Sequence, residues 1–423
     1  YPEDAPALRV DKGQDYTSSF VYSVGKDAID PLEVERLRSW MRKANPENEL
    51  SRLGNDKLLE AMNLVRSGED GVVRPTLACV LLLGKEEILR DNLPQCEAVF
   101  LRFDEDDTTP VQSKYLKEPL MKVIDKVWSL IEPYNKTVVI KDAFFETPVP
   151  SFPEEVVREG LLNALTHRDY TRNEPIQIKL FKDRLEISNP GGFVGDVTPE
   201  NILTHPPARR NPSLSEAFQH IGVVNKAGLG VDRMYKKLIS FGKTPPEYPS
   251  FKDAVTLIIR DGDFDETLAK FVGRRAKDGY GWKLDELIVI HHLRRNDKIK
   301  AEEASMICQK TLKDSSELLS SMDGRFLERY GSGRGTYYQY TKEIMSTLGE
   351  KAKYTRMTKL SEDRMIELIK RHLETYGRVT NNEIQDICGI DRNQAYRLIL
   401  KLVEQKVIVR RGERRGAYYE KRA

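Results

Sequence analysis

The stretch Glu155-Val-Val-Arg-Glu159-Gly-Leu-Leu-Asn163-Ala-Leu-Thr-His167-Arg168-Asp169-Tyr170 sets the strongest constraint on how this chain can fold. It predicts a helix with Leu161, Leu162 and Leu165 on its apolar side. Glu159 and Asn163, four apart, then share one face. A second stretch, Leu185-Glu-Ile-Ser-Asn189-Pro-Gly191-Gly192, predicts a strand that ends abruptly in a glycine turn. A helix face offering a carboxylate and an amide oxygen suits water activation and Mg2+ ligation. A glycine turn nearby lets backbone come close to a nucleotide. Further on, Asn225-Lys-Ala-Gly228-Leu-Gly230-Val-Asp-Arg233-Met234 predicts a Gly-x-Gly that opens a helix running through Leu238. Free N–H groups and the dipole at such a helix start favour phosphate.

The order of these elements, an acidic and amide-bearing helix, a hairpin, a glycine turn, a long polar segment, a second glycine turn and a helix, resembles the nucleotide-binding domain of the GHKL superfamily (gyrase and histidine kinase type). Within it, Asn-Ala-x-x-His-Arg-Asp-Tyr, Asn-Pro-Gly-Gly, Arg-Asn-Pro and Gly-x-Gly-x-x-Arg-Met are similar to the group labelled as the C-terminal part of RecG-like helicases. Members of that group are described as ATP-binding proteins or transcriptional regulators, often with an AlbA-like DNA-binding domain at the N-terminus. The resemblance covers about residues 29–262 and is strongest from Glu155 to Met234. It implies ATP and Mg2+ as ligands, with Asn163 on the metal and Glu159 polarising the attacking water. It implies that His167 and Arg168 approach phosphate, beside the turns at Gly191, Gly192, Gly228 and Gly230. It places Asn189 where most of the superfamily has an Asp that reads the adenine amino group. Asn can still accept from that group, as a weaker, neutral acceptor. For His167 the alternative is a helix C-terminal residue stabilised by the dipole.

The rest of the chain supplies context. Before Tyr134 no catalytic constellation appears. Residues 1–28 read as an extended polar segment and 29–133 as a small α/β domain or connector. There Arg74–Lys85 reads as a buried strand closed by Gly84, and Ala98–Phe103 as another strand. Leu120–Ile131 reads as a helix opened by Pro119. Residues 134–262 carry the nucleotide-binding pattern and end in a strand at Ala254–Ile259. The polar segment Gly195–Ala227, rich in proline, is too long for an ordinary connection. By the resemblance it is a lid over ATP, where Arg209 and Arg210 meet phosphate; the alternative for these arginines is a solvated basic loop. No G-x-x-x-x-G-K-[ST] phosphate loop exists, which removes the usual helicase chemistry.

The C-terminal third repeats itself. Arg329-Tyr-Gly331-Ser-Gly-Arg334-Gly335-Thr-Tyr337-Tyr338 matches Arg410-Arg-Gly412-Glu-Arg-Arg415-Gly416-Ala-Tyr418-Tyr419, and Glu303–Cys308 matches Glu383–Cys388. Each copy reads as three helices and a glycine-turned hairpin. This resembles tandem winged-helix domains, over 280–345 and 355–423. In the second copy Asp391 caps a helix from Arg392 to Gln405 whose Arg392, Asn393, Gln394, Tyr396, Arg397 and Lys401 suit groove edges and phosphates. Arg410, Arg411, Arg414 and Arg415 fall on its wing. The corresponding helix of the first copy, Thr311–Met322, carries Asp314 and Glu317 against Lys313. For both copies the alternative is a module that contacts only protein.

Charge follows the same division. Residues 351–423 hold 7 Lys and 11 Arg against 10 Asp plus Glu, a balance of +8, which leaves −6 on the other 350 residues of a chain at +2. A basic terminal module on an acidic body suggests a polyanion partner. Cys79, Cys96, Cys308 and Cys388 are scattered without a CxxC pair, so a reducing cytoplasm is expected and a zinc site is not. No run of eighteen apolar residues is present, so no membrane partner is expected. The chain begins at Tyr1 and is expected to be a piece of a longer protein.

The fold expected is an α+β multidomain one, a GHKL (Bergerat-type) α/β sandwich followed by tandem winged helices. The function expected is a cytoplasmic, homodimeric, ATP-binding regulator that binds double-stranded DNA. Two rivals stay open: a GHKL-type ATPase of DNA transactions or defence, and a degenerate nucleotide fold used for protein interaction.

Overall fold

The computed structural model describes residues 15–93, 96–105, 107–142, 145–224, 228–262, 264–331, 333–349, 365–412 and 417–421. They divide into two compact units, Tyr1–Lys270 and Phe271–Ala423.

The first unit is built on helix α1 (Pro31–Ala44), α2 (Leu77–Leu83), strands β1 (Ala98–Arg102) and β2 (Gln112–Leu116), and helices α3 (Leu120–Ile131) and α4 (Glu154–His167). These are followed by β3 (Ile176–Leu180), β4 (Arg184–Pro190), α5 (Pro212–Ile221), α6 (Gly230–Ser240) and β5 (Ala254–Arg260). The five strands form one sheet in the order β2-β1-β3-β4-β5. It is mixed: β1 runs parallel to β3 and every other pair is antiparallel. Alternation along β4 buries Leu185, Ile187 and Asn189 on one face. α4 lies on that face. Its Gly160 sits so close that an added Cβ would stand 2.4 Å from Leu257 and 3.3 Å from Ile187. Asn189 is therefore under the helix that carries Glu159 and Asn163.

Three expectations change. Arg74–Lys85 contains α2, a helix. The Thr76 hydroxyl accepts from Cys79 N at 3.3 Å, and all seven residues from Leu77 to Leu83 are buried. A helix buried on every side shows no periodicity in sequence, so an apolar run of this length reads equally as a strand. The segment 29–133 contributes β1 and β2 to the same sheet as β3, β4 and β5, and one continuous core runs from Val34 to Ile259. From Asp15 to Ala28 the chain forms two single 3-10 turns, Tyr16–Ser18 and Lys26–Ala28, with Thr17 buried.

The second unit repeats one order of elements. Its first half has α7 (Leu284–Arg295), α8 (Ala301–Cys308), α9 (Leu312–Met322) and the hairpin β6 (Leu327–Tyr330) and β7 (Tyr337–Tyr340), with Ile299 bridging Tyr338. Its second half has a helix over 365–376, β8 (Arg378–Val379), α10 (Asn381–Cys388), α11 (Arg392–Glu404) and the strands β9 (Ile408–Arg411) and β10 (Tyr418–Lys421), in the sheet order β8-β10-β9. The register repeats as well: Arg329 pairs with Tyr338 and Arg410 with Tyr419. Arg414 and Arg415 lie outside the described residues.

Candidate functional site

One cavity in the first unit draws on α4, β4, the glycine turn after β4, the loop before α5, α5 itself and the start of α6. It is lined by Glu159, Asn163, His167, Asn189, Gly192, Arg209, Gly228 and Gly230 of the expected site. Glu159, Asn163 and His167 occupy successive turns of α4, because residues four apart on a helix stack along one face.

The Glu159 carboxylate touches the N-terminus of α6. Its Oε2 accepts from Arg233 at 3.5 Å. An added Cβ at Gly230 would collide with Oε1, so any side chain there would have to displace the carboxylate. Burial raises the Glu159 pKa, and the charge of Arg233 works against that rise. A carboxylate so raised is a stronger base. His167 moves the other way. Burial, then the charges of Arg210 and Arg209, push it down to about 4, so its ring is neutral at pH 7. Asn189 is 3 % exposed and its Nδ2 donates weakly to Pro190 O at 3.3 Å. Its amide offers both a donor and an acceptor.

Three expected residues, Arg168, Arg210 and Gly191, do not line the cavity. Arg168 is 1 % exposed. Its guanidinium turns under the loop after α4, donates to Arg172 O at 3.2 Å and Glu174 O at 2.6 Å, and stacks over Tyr170 at 4.9 Å. Arg168 stands beyond the last turn of α4, so it leaves the face that His167 shares with Asn163. It is a structural residue here. Arg210 braces the glycine turn. It donates to Gly192 O at 2.8 Å and lies 4.0 Å from Asp169. Gly191 forms that turn at φ +91, a conformation L side chains rarely adopt, while Gly192 lines the cavity.

The expected lid is corrected in part. Within Gly195–Ala227 the structure has α5, whose Leu214, Ala217, Phe218 and Ile221 are buried in the core. Asn211 ties it down, donating to Thr166 O and Arg168 O at 2.8 Å each. The loop ahead of α5 does line the cavity, through Val194, Val197, Ile202 and His205 to Arg209. Asn225, Lys226 and Ala227 lie outside the described residues.

Sequence reasoning missed several wall residues. Phe193 and Tyr248, with ring centroids 6.3 Å apart, form part of an apolar wall with Ile187, Val255 and Leu257. Ser215 and Gln219 add polar groups from α5. The i, i+4 spacing of Ser215 and Gln219 was the available signal; Tyr248 had none.

Among the described residues no group of three or more His, Cys, Asp or Glu is arranged to hold a metal. Mg2+ needs few protein ligands when phosphates and water supply the others. Asn163 alone therefore fits that donor set.

Comparison with known proteins bears on the sheet and the glycine turns. Residues 173–259 match the family model described as "Putative ATP-dependent DNA helicase recG C-terminal". That match makes this part of the chain an HATPase-like domain. It spans Asn189, both glycine turns and Arg209, but not α4. Residues 7–99 match a domain of unknown function. The crystal structure of the DIP2311 protein from Corynebacterium diphtheriae aligns with a TM-score of 0.65 and 21 % identity, over 82 % of this chain and 68 % of that one. That likeness establishes a shared fold. No curated protein matches.

Proposed function

We propose that the chain binds ATP with Mg2+ in this cavity and duplex DNA through the second half of its C-terminal unit, as a nucleotide-responsive regulator of transcription. The observation that carries the nucleotide reading is the meeting of Glu159, Asn163, Asn189 and both glycine turns around one cavity. Asn163 would hold Mg2+ through its amide oxygen. Asn189 would accept from the adenine amino group, and the N–H groups at Gly230 would face phosphate. Mg2+ would neutralise phosphate charge and orient the terminal group.

Hydrolysis is the second reading, and Glu159 favours it. A buried carboxylate with a raised pKa, held against the phosphate-binding turn, suits a general base. The DNA reading rests on the element order of a winged helix and on the +8 charge of residues 351–423. Exposed Arg392, Asn393, Arg397 and Lys401 line one side of α11, and Arg410 and Arg411 stand exposed on β9. Gln394 is spent differently: its Oε1 accepts from Asp391 N at 3.1 Å in the helix cap. Nucleotide-driven movement of the loop ahead of α5 would alter pairing of two copies. All four cysteines are free thiols, which suits a cytoplasmic setting. Among the described residues no helix is long and apolar enough to cross a membrane.

Calorimetry with ATP–Mg2+ tests the reading, followed by phosphate release with and without duplex DNA. Asn163→Ala is expected to weaken binding, and Glu159→Ala to keep binding and lose hydrolysis. Sedimentation with and without ATP reads the dimer. No ATP binding by the wild-type chain would leave a fold used for protein contact.

A further inference from the structure

The cavity has a second polar wall that the proposed roles leave unused. Asn211 donates to Thr166 O and Arg168 O, on either side of His167, and so pins the start of α5 to the end of α4. It also occupies carbonyls that would repel an anion there. One turn on, Ser215 N donates to Asn211 O at 3.0 Å. Ser215 is 3 % exposed and lines the cavity, so its hydroxyl is a polar group on this wall. One further turn on, Gln219 lines the same cavity, and its buried Nε2 finds no acceptor among them. A buried donor left unpaired costs stability unless something else accepts from it.

The surroundings define what would accept. Arg209 lines the cavity just ahead of α5 and brings a positive charge to this corner. The nearby carboxylates are engaged: Asp15 accepts from Ser213 N at 2.6 Å, and Asp169 accepts from Thr171 and lies by Arg210. The corner thus offers donors and positive charge, which suits an oxyanion better than a ribose or a base edge. Position narrows it further. Glu159 lies one turn before Asn163 on α4, and His167 one turn after it. The corner is on the far side of the metal ligand from the general base.

We propose that Ser215 and Gln219, with Arg209, form a subsite for a phosphate of the nucleotide that is not transferred, within the diphosphate common to ATP and ADP. This rests on the nucleotide reading above. The subsite would grip substrate and product alike and would hold ADP after hydrolysis.

The test is calorimetry on the full chain with Mg2+ and ATP, ADP, adenosine or inorganic pyrophosphate, for wild type, Ser215→Ala, Gln219→Ala and Gln219→Glu. Loss of a charge-assisted hydrogen bond is expected to weaken ATP, ADP and pyrophosphate about tenfold in Gln219→Ala, and more in Gln219→Glu, with adenosine unchanged. Weakening of ATP alone, equal weakening of adenosine, or no change in ATP and ADP would each overturn the subsite. Gln219→Ala loses no partner in the fold, so its melting temperature should match wild type, and it decides the matter if Gln219→Glu does not fold. Pyrophosphate binding that Gln219→Ala abolishes, in a chain that ignores adenosine, would keep the anion subsite and remove the nucleotide reading. A wild-type chain that binds none of the four removes both.

Discussion

The two halves of the C-terminal unit share their elements and their register, yet the helices that precede their hairpins present opposite surfaces. α9 exposes Lys313, Asp314 and Glu317. Lys313 lies 4.0 Å from Glu317, and Asp314 accepts from the Thr311 hydroxyl at 2.7 Å. Its charges are satisfied locally. α11 exposes Arg392, Asn393, Tyr396, Arg397 and Lys401 with no acidic residue in its first three turns. The buried sides are interchangeable: Ser315, Leu319 and Met322 in one, Ala395, Leu398, Ile399 and Leu402 in the other. Apolar spacing therefore sets the shared fold, while the exposed side is free to set the partner.

The strongest way to break this comparison is charge reversal. Arg392→Glu with Arg397→Glu is expected to weaken duplex DNA binding by the full chain about a hundredfold at low salt, since phosphate contacts dominate affinity. Lys313→Glu in the first half should leave it unchanged. Fluorescence anisotropy at several salt concentrations measures both. Equal losses would show that the halves bind alike; no loss in the double variant would remove DNA from α11.

The converse experiment is smaller. Asp314→Lys with Glu317→Lys gives α9 a basic face on an unchanged core. Affinity for DNA should rise about tenfold, and the salt slope should steepen by about one unit per new phosphate contact. An unchanged slope would mean that α9 does not face the duplex at all.

Helix caps separate fold from partner. Asp391 accepts from Asn393 N at 2.7 Å and Gln394 N at 2.8 Å, and Thr311 from Asp314 N at 3.1 Å. Asp391→Ala and Thr311→Ala should each cost about 1 kcal/mol of stability, read by denaturant melts. Only the first should also lower DNA affinity.

The repeat was legible because its signals are local: glycine turns, Cys308 and Cys388 at the ends of matching helices, and aromatics at fixed offsets. The glycine turns around the cavity of the first unit were legible for the same reason. What failed was long-range. α2 looked like a strand because a fully buried helix has lost its polar side. Arg168 looked like a phosphate ligand because it adjoins His167 in sequence; one step past the helix end sends its side chain to Tyr170. α5 was hidden inside a polar segment because only Leu214, Ala217, Phe218 and Ile221 face the core, and their neighbours are ordinary surface residues. That β1 and β2 join the sheet of β3–β5 depends on a parallel pairing between residues far apart in sequence.

The smallest expected difference between the halves concerns a histidine at matching positions. His292 lies in α7 and His372 in the helix over 365–376. His372 keeps its ring against Tyr376, with centroids 4.7 Å apart. His292 is packed inward, its Nε2 has no partner among the described residues, and burial lowers its pKa, with Glu303 acting in the opposite sense. A histidine lowered in the folded state stays neutral there while the unfolded chain takes up a proton. Its contribution is complete above the unfolded value of about 6.5 and is lost as pH falls towards the lowered one. Denaturant melts of wild type and His292→Gln between pH 7.5 and pH 5 should converge as pH falls, because the glutamine variant lacks this slope. Parallel curves for His292→Gln and wild type would mean that burial in α7 does not lower the affinity of this ring for a proton.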